Sequence, residues 1–186
     1  MDHQILVAIS HLACPPLDVF FKSLTFLGNG GLIWLMLTLG LLLYRRTRPT
    51  AWIVFVSLLA AALITTRGLK PLFMRVRPYL RYHFPIIIAA PGGTSFPSGH
   101  AASSFAAAWA CFRLYHERHP RCCAALLMLA GAIAFSRLYL YVHYPSDVLA
   151  GALLGMAVAE ACVRLADRRA FSRKKDSPAG DRKSVV

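Results

Sequence analysis

Long apolar segments constrain the fold of this chain more than any other feature. Hydrophobic residues make up 57% of its 186 residues, and the mean hydropathy is +0.52. A soluble domain of this size needs more polar residues to cover its surface, so the composition favours a membrane protein. Because a membrane-spanning helix needs about 20 largely apolar residues, the chain can be divided into candidate spans by length.

Five segments are long and apolar enough, or nearly so, to cross a bilayer. They cover residues 30–44, 51–74, 98–115, 122–141 and 147–166. Before them, Pro15 and Pro16 divide the first 29 residues into two shorter apolar pieces, because proline interrupts helical hydrogen bonding. These pieces are expected to lie at the membrane interface, although together they could form a kinked sixth span.

The fold predicted from these segments is all-α. We expect an integral-membrane helical bundle of five to six transmembrane helices with an N-terminal interfacial helix. Residues 1–170 are predicted to form a single membrane-embedded domain. Residues 171–186 are polar and basic, and we expect them to form a disordered cytoplasmic tail.

The distribution of charge predicts the orientation of the bundle. The formal net charge is +13, with 21 Lys and Arg against 8 Asp and Glu, which alone would also suit a nucleic-acid binder. However, the basic residues cluster at 45–48, 116–121 and in the tail, which five alternating spans would place on one side. Cytoplasmic loops are enriched in Lys and Arg, so that side is predicted to be cytoplasmic, and nucleic acid is not expected as a partner.

The first segment whose residues could take part in catalysis or binding follows the second apolar run. Lys70 and Arg77 are seven residues apart, and Pro78 comes next. Seven residues are about two helical turns, so on a helix both cations would project from one face, and Pro78 would mark the end of that helix. Taken alone, such residues could also be cations that snorkel to the membrane interface.

A second segment, Pro97-Ser98-Gly99-His100, directly precedes the third apolar run. Serine is a good N-cap, glycine allows a ligand to approach closely, and the free N–H groups of a helix start favour phosphate. By itself, this tetrapeptide indicates only a helix start.

A third segment runs from Ser136 to Asp147. His143 and Asp147 are four residues apart, so an aspartate in the first turn of the last helix could accept the imidazole N–H. That hydrogen bond would fix the tautomer of His143 and leave its other nitrogen free to attack. Arg137 would be a costly charge at the outer end of a span without a phosphate or an acid as its partner.

Together, these segments resemble the signature of the type 2 phosphatidic acid phosphatase superfamily. Its three motifs, KxxxxxxRP, PSGH and SRxxxxxHxxxD, are complete and in order between Lys70 and Asp147. The resemblance implies an enzyme that transfers a phosphoryl group to a histidine. With the orientation predicted from the charges, this site is expected on the extracytoplasmic face of the plasma membrane and the C-terminus on the cytoplasmic side.

The resemblance also implies a role for each matching residue. His143 would be the nucleophile, oriented by Asp147, and His100 would be the acid for the leaving group and then the base for water. The remaining motif residues would hold the phosphate oxygens: Lys70, Arg77, Ser98, Gly99 and Arg137. Since these cations could replace a metal, no cofactor and no metal are expected.

The sequence leaves the substrate open. The expected partners are a lipid phosphate and membrane lipids, and the oligomeric state is not predicted. We weigh an isoprenyl diphosphate such as undecaprenyl diphosphate against a glycerophospholipid such as phosphatidic acid or phosphatidylglycerophosphate. The short chain favours the isoprenyl diphosphate. Two other hypotheses are a protein that only binds lipid phosphate and a vanadium haloperoxidase, whose relatives share the signature but are soluble.

Overall fold

The structure is a computed structural model that describes residues 1–176, and all regular structure in this range is helical. The all-α prediction is therefore confirmed for that part of the chain. The helices are α1 (Asp2–Ser10), α2 (Pro15–Gly28), α3 (Leu32–Leu43), α4 (Arg48–Leu63), α5 (Lys70–Phe73), α6 (Pro78–Tyr82), α7 (Gly99–Tyr115), α8 (Pro120–Tyr139) and α9 (Pro145–Asp176).

The predicted tail begins at residue 171. Helix α9 continues to Asp176, so it includes the first part of the segment predicted as a tail. Residues 177–186 of that segment lie outside the described residues. The prediction of a single domain followed by a cytoplasmic tail stays a prediction.

Among residues 1–176, four helical stretches, rather than five or six, are long and apolar enough to cross a membrane. They are Pro15–Leu43, Arg48–Tyr82, Pro120–Tyr139 and Pro145–Arg169. The first stretch includes α2, which the sequence suggested as an interfacial helix. Helices α2 and α3 are joined by a short turn, Asn29–Gly31, in which Gly30 and Gly31 have φ angles of 59° and 74°. Glycine adopts these angles readily, so the chain bends there and resumes its helix at once.

Helix α7 is shorter, with 17 residues, and it packs against α4, α8 and α9. Its contact with α9 is close because α9 presents glycines to it. A Cβ at Gly151 would lie 2.5 Å from the carbonyl oxygen of Ser98, and a Cβ at Gly155 would overlap that of Ala102. This close packing brings the start of α7 to the start of α9, where the backbone N–H of Ser98 donates to the carbonyl of Asp147 at 3.0 Å.

The prediction that Lys70 and Arg77 project from one helix face is wrong. After α4, the chain forms a π-helical segment (Ile64–Leu69) and the short helix α5, which ends where Met74 adopts a left-handed conformation with φ of 40°. The backbone of Arg77 is extended, and Pro78 begins α6 instead of marking the end of a helix. Proline is favourable at the first position of a helix, where its missing N–H is not needed.

Candidate active site

His143 lies buried in the turn between α8 and α9. Its Nδ1 is 3.5 Å from Oδ2 of Asp147, which belongs to the first turn of α9. The same oxygen accepts hydrogen bonds from the Ser95 hydroxyl and from the backbone N–H of Tyr144, the latter at 2.9 Å. With its N–H on Nδ1, facing the carboxylate, the ring keeps a free lone pair on Nε2.

Electrostatics favour the neutral form of this imidazole. Burial is the largest cause, and together with the positive charges of Arg137 and Arg77 it lowers the pKa of His143 to about 4. The hydrogen bond to Asp147 opposes this shift but does not cancel it. At neutral pH, His143 is therefore an uncharged nitrogen base.

Arg77 lies beside the free nitrogen of His143, with Nη1 3.4 Å from Nε2. Its guanidinium is held by three backbone carbonyls, those of Gly92 at 3.0 Å, Gly93 at 3.1 Å and Val142 at 2.9 Å. Because this side chain is only 3% exposed and bonded on several sides, its charge is fixed in place.

Arg137, in the last turn of α8, is also buried. One of its terminal nitrogens donates to the hydroxyl of Thr25, while its Nε has no hydrogen-bond partner within the part of the chain that the structure describes. The positive charges of Lys70, Arg77 and Arg137 are close enough to act on one another. Burying several like charges together is costly unless an anion joins them, so this cluster suits a phosphate group.

Helix α7 begins at the same place. Ser98 is its N-cap, and the Ser98 hydroxyl accepts from the backbone N–H of Ala101 at 3.4 Å. His100, in the first turn, has its Nε2 3.0 Å from Oδ1 of Asn29, and it is near enough to His143 for the two rings to interact electrostatically. The structure thus brings residues of all three motifs to one end of the bundle.

Three residues that were not predicted from the sequence also reach this site: Thr25 and Gly28 at the end of α2, and Asn29 directly after it. Thr25 contacts Arg137 and Asn29 contacts His100, while a Cβ at Gly28 would lie 2.8 Å from the ring of His100. Gly28 and Asn29 follow Thr25 by three and four residues, which is the spacing of residues on one face of a helix. The signal in the sequence was a glycine and two polar residues with helical spacing at the end of an apolar segment. That signal does not show that their partners are Arg137 and His100.

Ser95 and Arg75 were not predicted as site residues either. Ser95 is fully buried against Asp147, and Arg75 donates to the other carboxylate oxygen of Asp147 at 2.5 Å.

Within the described residues, no group of three or more His, Cys, Asp or Glu side chains is placed to hold a metal ion.

An apolar cleft of about 380 Å³ opens next to His100. The turn between α2 and α3, together with α3, α4 and α7, forms its walls. Its apolar lining includes Leu35, Phe55, Leu58 and Leu59, and Gly99 and His100 lie at its site end. A long apolar group attached to a phosphate could therefore occupy the cleft while the phosphate contacts the cationic cluster.

Known proteins share both the sequence pattern and the fold. A family model of the PAP2 superfamily matches residues 50–171. The chain is 34% identical over 164 residues to the decaprenylphosphoryl-5-phosphoribose phosphatase of Mycobacterium tuberculosis, covering 83% of each chain. It is 28% identical over 169 residues to the lipid A 4'-phosphatase of Bacteroides thetaiotaomicron, covering 83% of this chain and 72% of that protein.

A solved structure shows the same fold. It is the transmembrane PAP2 type phosphatidylglycerolphosphate phosphatase from Bacillus subtilis, with a TM-score of 0.72 at 23% identity, over 95% of this chain and 87% of that one. The family match covers more than half of the chain, and it includes every residue of the three motifs. This chain therefore belongs to the PAP2 superfamily and is a membrane phosphatase of that family.

Proposed function

We propose that this phosphatase hydrolyses a polyprenyl phosphate or diphosphate, such as undecaprenyl diphosphate, through a phosphohistidine at His143. The observation that carries the choice of a lipid is the apolar cleft, because it begins at His100, the residue that would protonate the leaving group. The relative whose name specifies a decaprenyl-linked phosphate favours a polyprenyl lipid over a glycerophospholipid.

In the first step, Nε2 of His143 attacks the phosphorus and the bond from phosphorus to the lipid oxygen breaks. His100 gives its proton to that departing oxygen, so the leaving group departs as an alcohol or as a lipid monophosphate. Asp147 keeps the N–H on Nδ1 and stabilises the positive charge that forms on the ring. The phosphorylated ring is the covalent intermediate.

In the second step, His100, now neutral, takes a proton from water as that water attacks the phosphorus. The bond to His143 breaks, inorganic phosphate leaves, and both imidazoles return to their starting forms. During both steps, the non-bridging oxygens would be held by Lys70, Arg77, Ser98, Arg137 and the backbone N–H of Gly99. Because phosphoryl transfer depends mainly on positioning and charge stabilisation, this cluster can act without a metal.

The proposed arrangement in the membrane has five spans. They are the kinked pair α2–α3, α4, α7, α8 and α9, with α1 lying at the outer interface. The basic linkers 44–47 and 116–119 then share the cytoplasmic side with the end of α9, and the site faces the extracytoplasmic side. Labelling of single cysteines at 83 and 117 with a membrane-impermeant thiol reagent, in a variant lacking the native cysteines, tests this orientation. Labelling from outside is expected at 83 only.

The substrate is tested by phosphate release in detergent with EDTA present. The panel contains undecaprenyl diphosphate, undecaprenyl phosphate, phosphatidic acid, phosphatidylglycerophosphate and lipid A. Fastest release from an undecaprenyl lipid is expected, and no release from the His143→Ala or His100→Ala variant. Faster turnover of a glycerophospholipid or lipid A would overturn the substrate assignment, and binding without turnover would overturn catalysis.

The cleft itself can be tested by filling it. Leu59→Trp, within the cleft, is expected to lower kcat/KM for the lipid about 10-fold or more, because the tail loses its apolar contacts, while p-nitrophenyl phosphate is still hydrolysed. Leu63→Trp is the matched control, since Leu63 is exposed one turn further along the same stretch and does not line the cleft. Equal losses on both substrates would remove the cleft from the proposal.

A further inference from the structure

The carboxylate of Asp147 is held on both of its oxygens, but by different partners. Oδ2 faces His143, Ser95 and the backbone N–H of Tyr144. Oδ1 accepts from Nη1 of Arg75 at 2.5 Å. Asp147 is fully buried, and a buried carboxylate is stable in its charged form only when it is paired and hydrogen-bonded. Arg75 supplies that pairing charge.

Arg75 is in turn fixed by the N-terminal helix. Its Nη2 donates to Oδ2 of Asp2, at the start of α1, at 2.8 Å. Its Nη1 also donates to the hydroxyl of Ser146 at 2.7 Å, and the guanidinium lies 3.8 Å from the ring centre of Tyr144. The side chain therefore cannot turn away from Asp147 without breaking several contacts at once.

Asp2 and Ser146 close this network. Asp2 accepts from the hydroxyl of Ser146 at 2.5 Å and from its backbone N–H at 3.2 Å. Burial alone would raise the pKa of Asp2, but the hydrogen bonds from Ser146 and Arg75 lower it below its usual value. The carboxylate of α1 is thus ionised at neutral pH and pairs with Arg75.

We infer that Arg75, anchored by Asp2 of the N-terminal helix, is a positioning residue that holds Asp147 in its charged form and thereby orients His143 for attack. This inference rests on the proposed roles of His143 and Asp147. Arg75 lies at one of the unspecified positions of the first motif, and Asp2 lies outside the matched family segment. The N-terminal helix therefore helps to position the nucleophile. Removing the carboxylate of Asp2 leaves His143 less firmly oriented and leaves the cationic residues that would bind phosphate unchanged.

The test compares Arg75→Ala, Arg75→Lys and Asp2→Asn in the full-length chain, with undecaprenyl diphosphate or with the fastest lipid of the panel. Loss of a residue that supports a site ligand typically costs about 10- to 100-fold in activity, so we expect that loss in kcat for Arg75→Ala with KM little changed. Arg75→Lys should recover part of it, and Asp2→Asn should give a smaller loss. Arg81→Ala is the control, because Arg81 is an exposed arginine of the same outer region.

A double-mutant cycle separates positioning from a merely structural role. In the Asp147→Asn background, Arg75→Ala is expected to cause almost no further loss, since its effect passes through that carboxylate. A further full loss, a raised KM with unchanged kcat, or wild-type activity in Arg75→Ala would each overturn the inference. The proposed function is judged separately: activity in His143→Ala would overturn it, whereas an inactive His143→Ala beside a fully active Arg75→Ala would overturn only the role of Arg75.

Discussion

The side-chain oxygen of Asn29 lies 3.0 Å from Nε2 of His100. Asn29 belongs to the bend between α2 and α3, whereas His100 lies in the first turn of α7, so this contact connects the N-terminal part of the chain to the three motifs. In the proposed mechanism, His100 delivers a proton to the departing lipid oxygen, and its ring must therefore point in a defined direction. The contact with Asn29 helps to restrain that direction.

Asn29→Ala is expected to lower kcat/KM for an alkyl-type lipid phosphate by about 10-fold, because a misplaced acid transfers its proton less efficiently. The loss should be much smaller for p-nitrophenyl phosphate, whose leaving group departs without protonation. Measuring both substrates on one preparation checks this difference. Ser23→Ala, in α2 before this bend, is the control, since the Ser23 hydroxyl bonds only the backbone of Val19 among described residues. Equal losses on both substrates would contradict a role through His100.

Gly28 provides the space that His100 occupies. A Cβ there would lie 2.7 Å from a methyl carbon of Ile133 and 2.8 Å from the His100 ring, so one of these groups must move. Overpacking of this kind typically costs about 1–3 kcal/mol. We therefore expect Gly28→Ala to lower both the Tm in detergent and the turnover of lipid phosphate.

Gly40→Ala is the matched control for that substitution. Gly40 lies within α3 and would place its Cβ in open space. Alanine is also the better helix former, so this variant should keep its activity and its Tm. If Gly28→Ala behaved like Gly40→Ala, the close fit around His100 would be wrong.

The three motifs could be predicted from the sequence because each has a fixed local spacing. His143 and Asp147 are four residues apart, and Ser98 stands where an N-cap is needed, so local geometry alone suggested how they would be placed. The starts of α3, α4, α7, α8 and α9 followed from hydropathy to within three residues, whereas α4 ends before its predicted end and α9 continues past its own. The prediction for Lys70 and Arg77 failed because the left-handed conformation of Met74 ends helix α5 between them, and this conformation has no clear sequence signal.

The supporting residues could not be predicted because their partners are remote in the chain. Thr25 and Arg137 are separated by 112 positions and Asn29 and His100 by 71, so no local pattern joins them. Arg75 did give a signal. It places a positive charge in a loop predicted to lie outside, against the rule that predicted the orientation, and its pairing with the carboxylates of Asp147 and Asp2 accounts for it.

Replacing Arg137 by an apolar residue should lower the activity without lowering the stability. Among the described residues, the buried guanidinium of Arg137 bonds the side chain of Thr25 and is paired with no carboxylate. Arg137→Met is expected to reduce phosphate release by about 100-fold or more, because the transition state loses a fixed positive charge. The Tm should stay equal or rise, since a buried unpaired charge is costly and an apolar side chain of similar size is not.

The comparison for Arg137 is Arg164→Met. Arg164 is exposed and donates to the carboxylate of Glu160 at 2.8 Å. It lies in α9, well after the end of the third motif in the sequence. An exposed ion pair contributes little, so activity and Tm should both remain close to wild type. A large drop in Tm for Arg137→Met would mean that Arg137 is a structural residue and that its open Nε is not a phosphate contact.

Acid should destabilise the folded chain through His143. Its pKa is lowered to about 4, chiefly by burial, whereas histidine in an unfolded chain has the usual value of 6.5. Between these values the unfolded chain takes up a proton that the folded chain does not, so the contribution of neutral His143 to stability is lost as pH falls from 6.5 towards 4. Carbon-detected NMR of histidine-labelled protein in detergent should show a resonance, missing in His143→Gln, that titrates near pH 4. On acidification over the same range, the Tm of His143→Gln should fall less than that of the wild type, because glutamine cannot take up the proton. A midpoint near 6.5, or parallel Tm curves for the two proteins, would show that His143 is not held neutral by its surroundings.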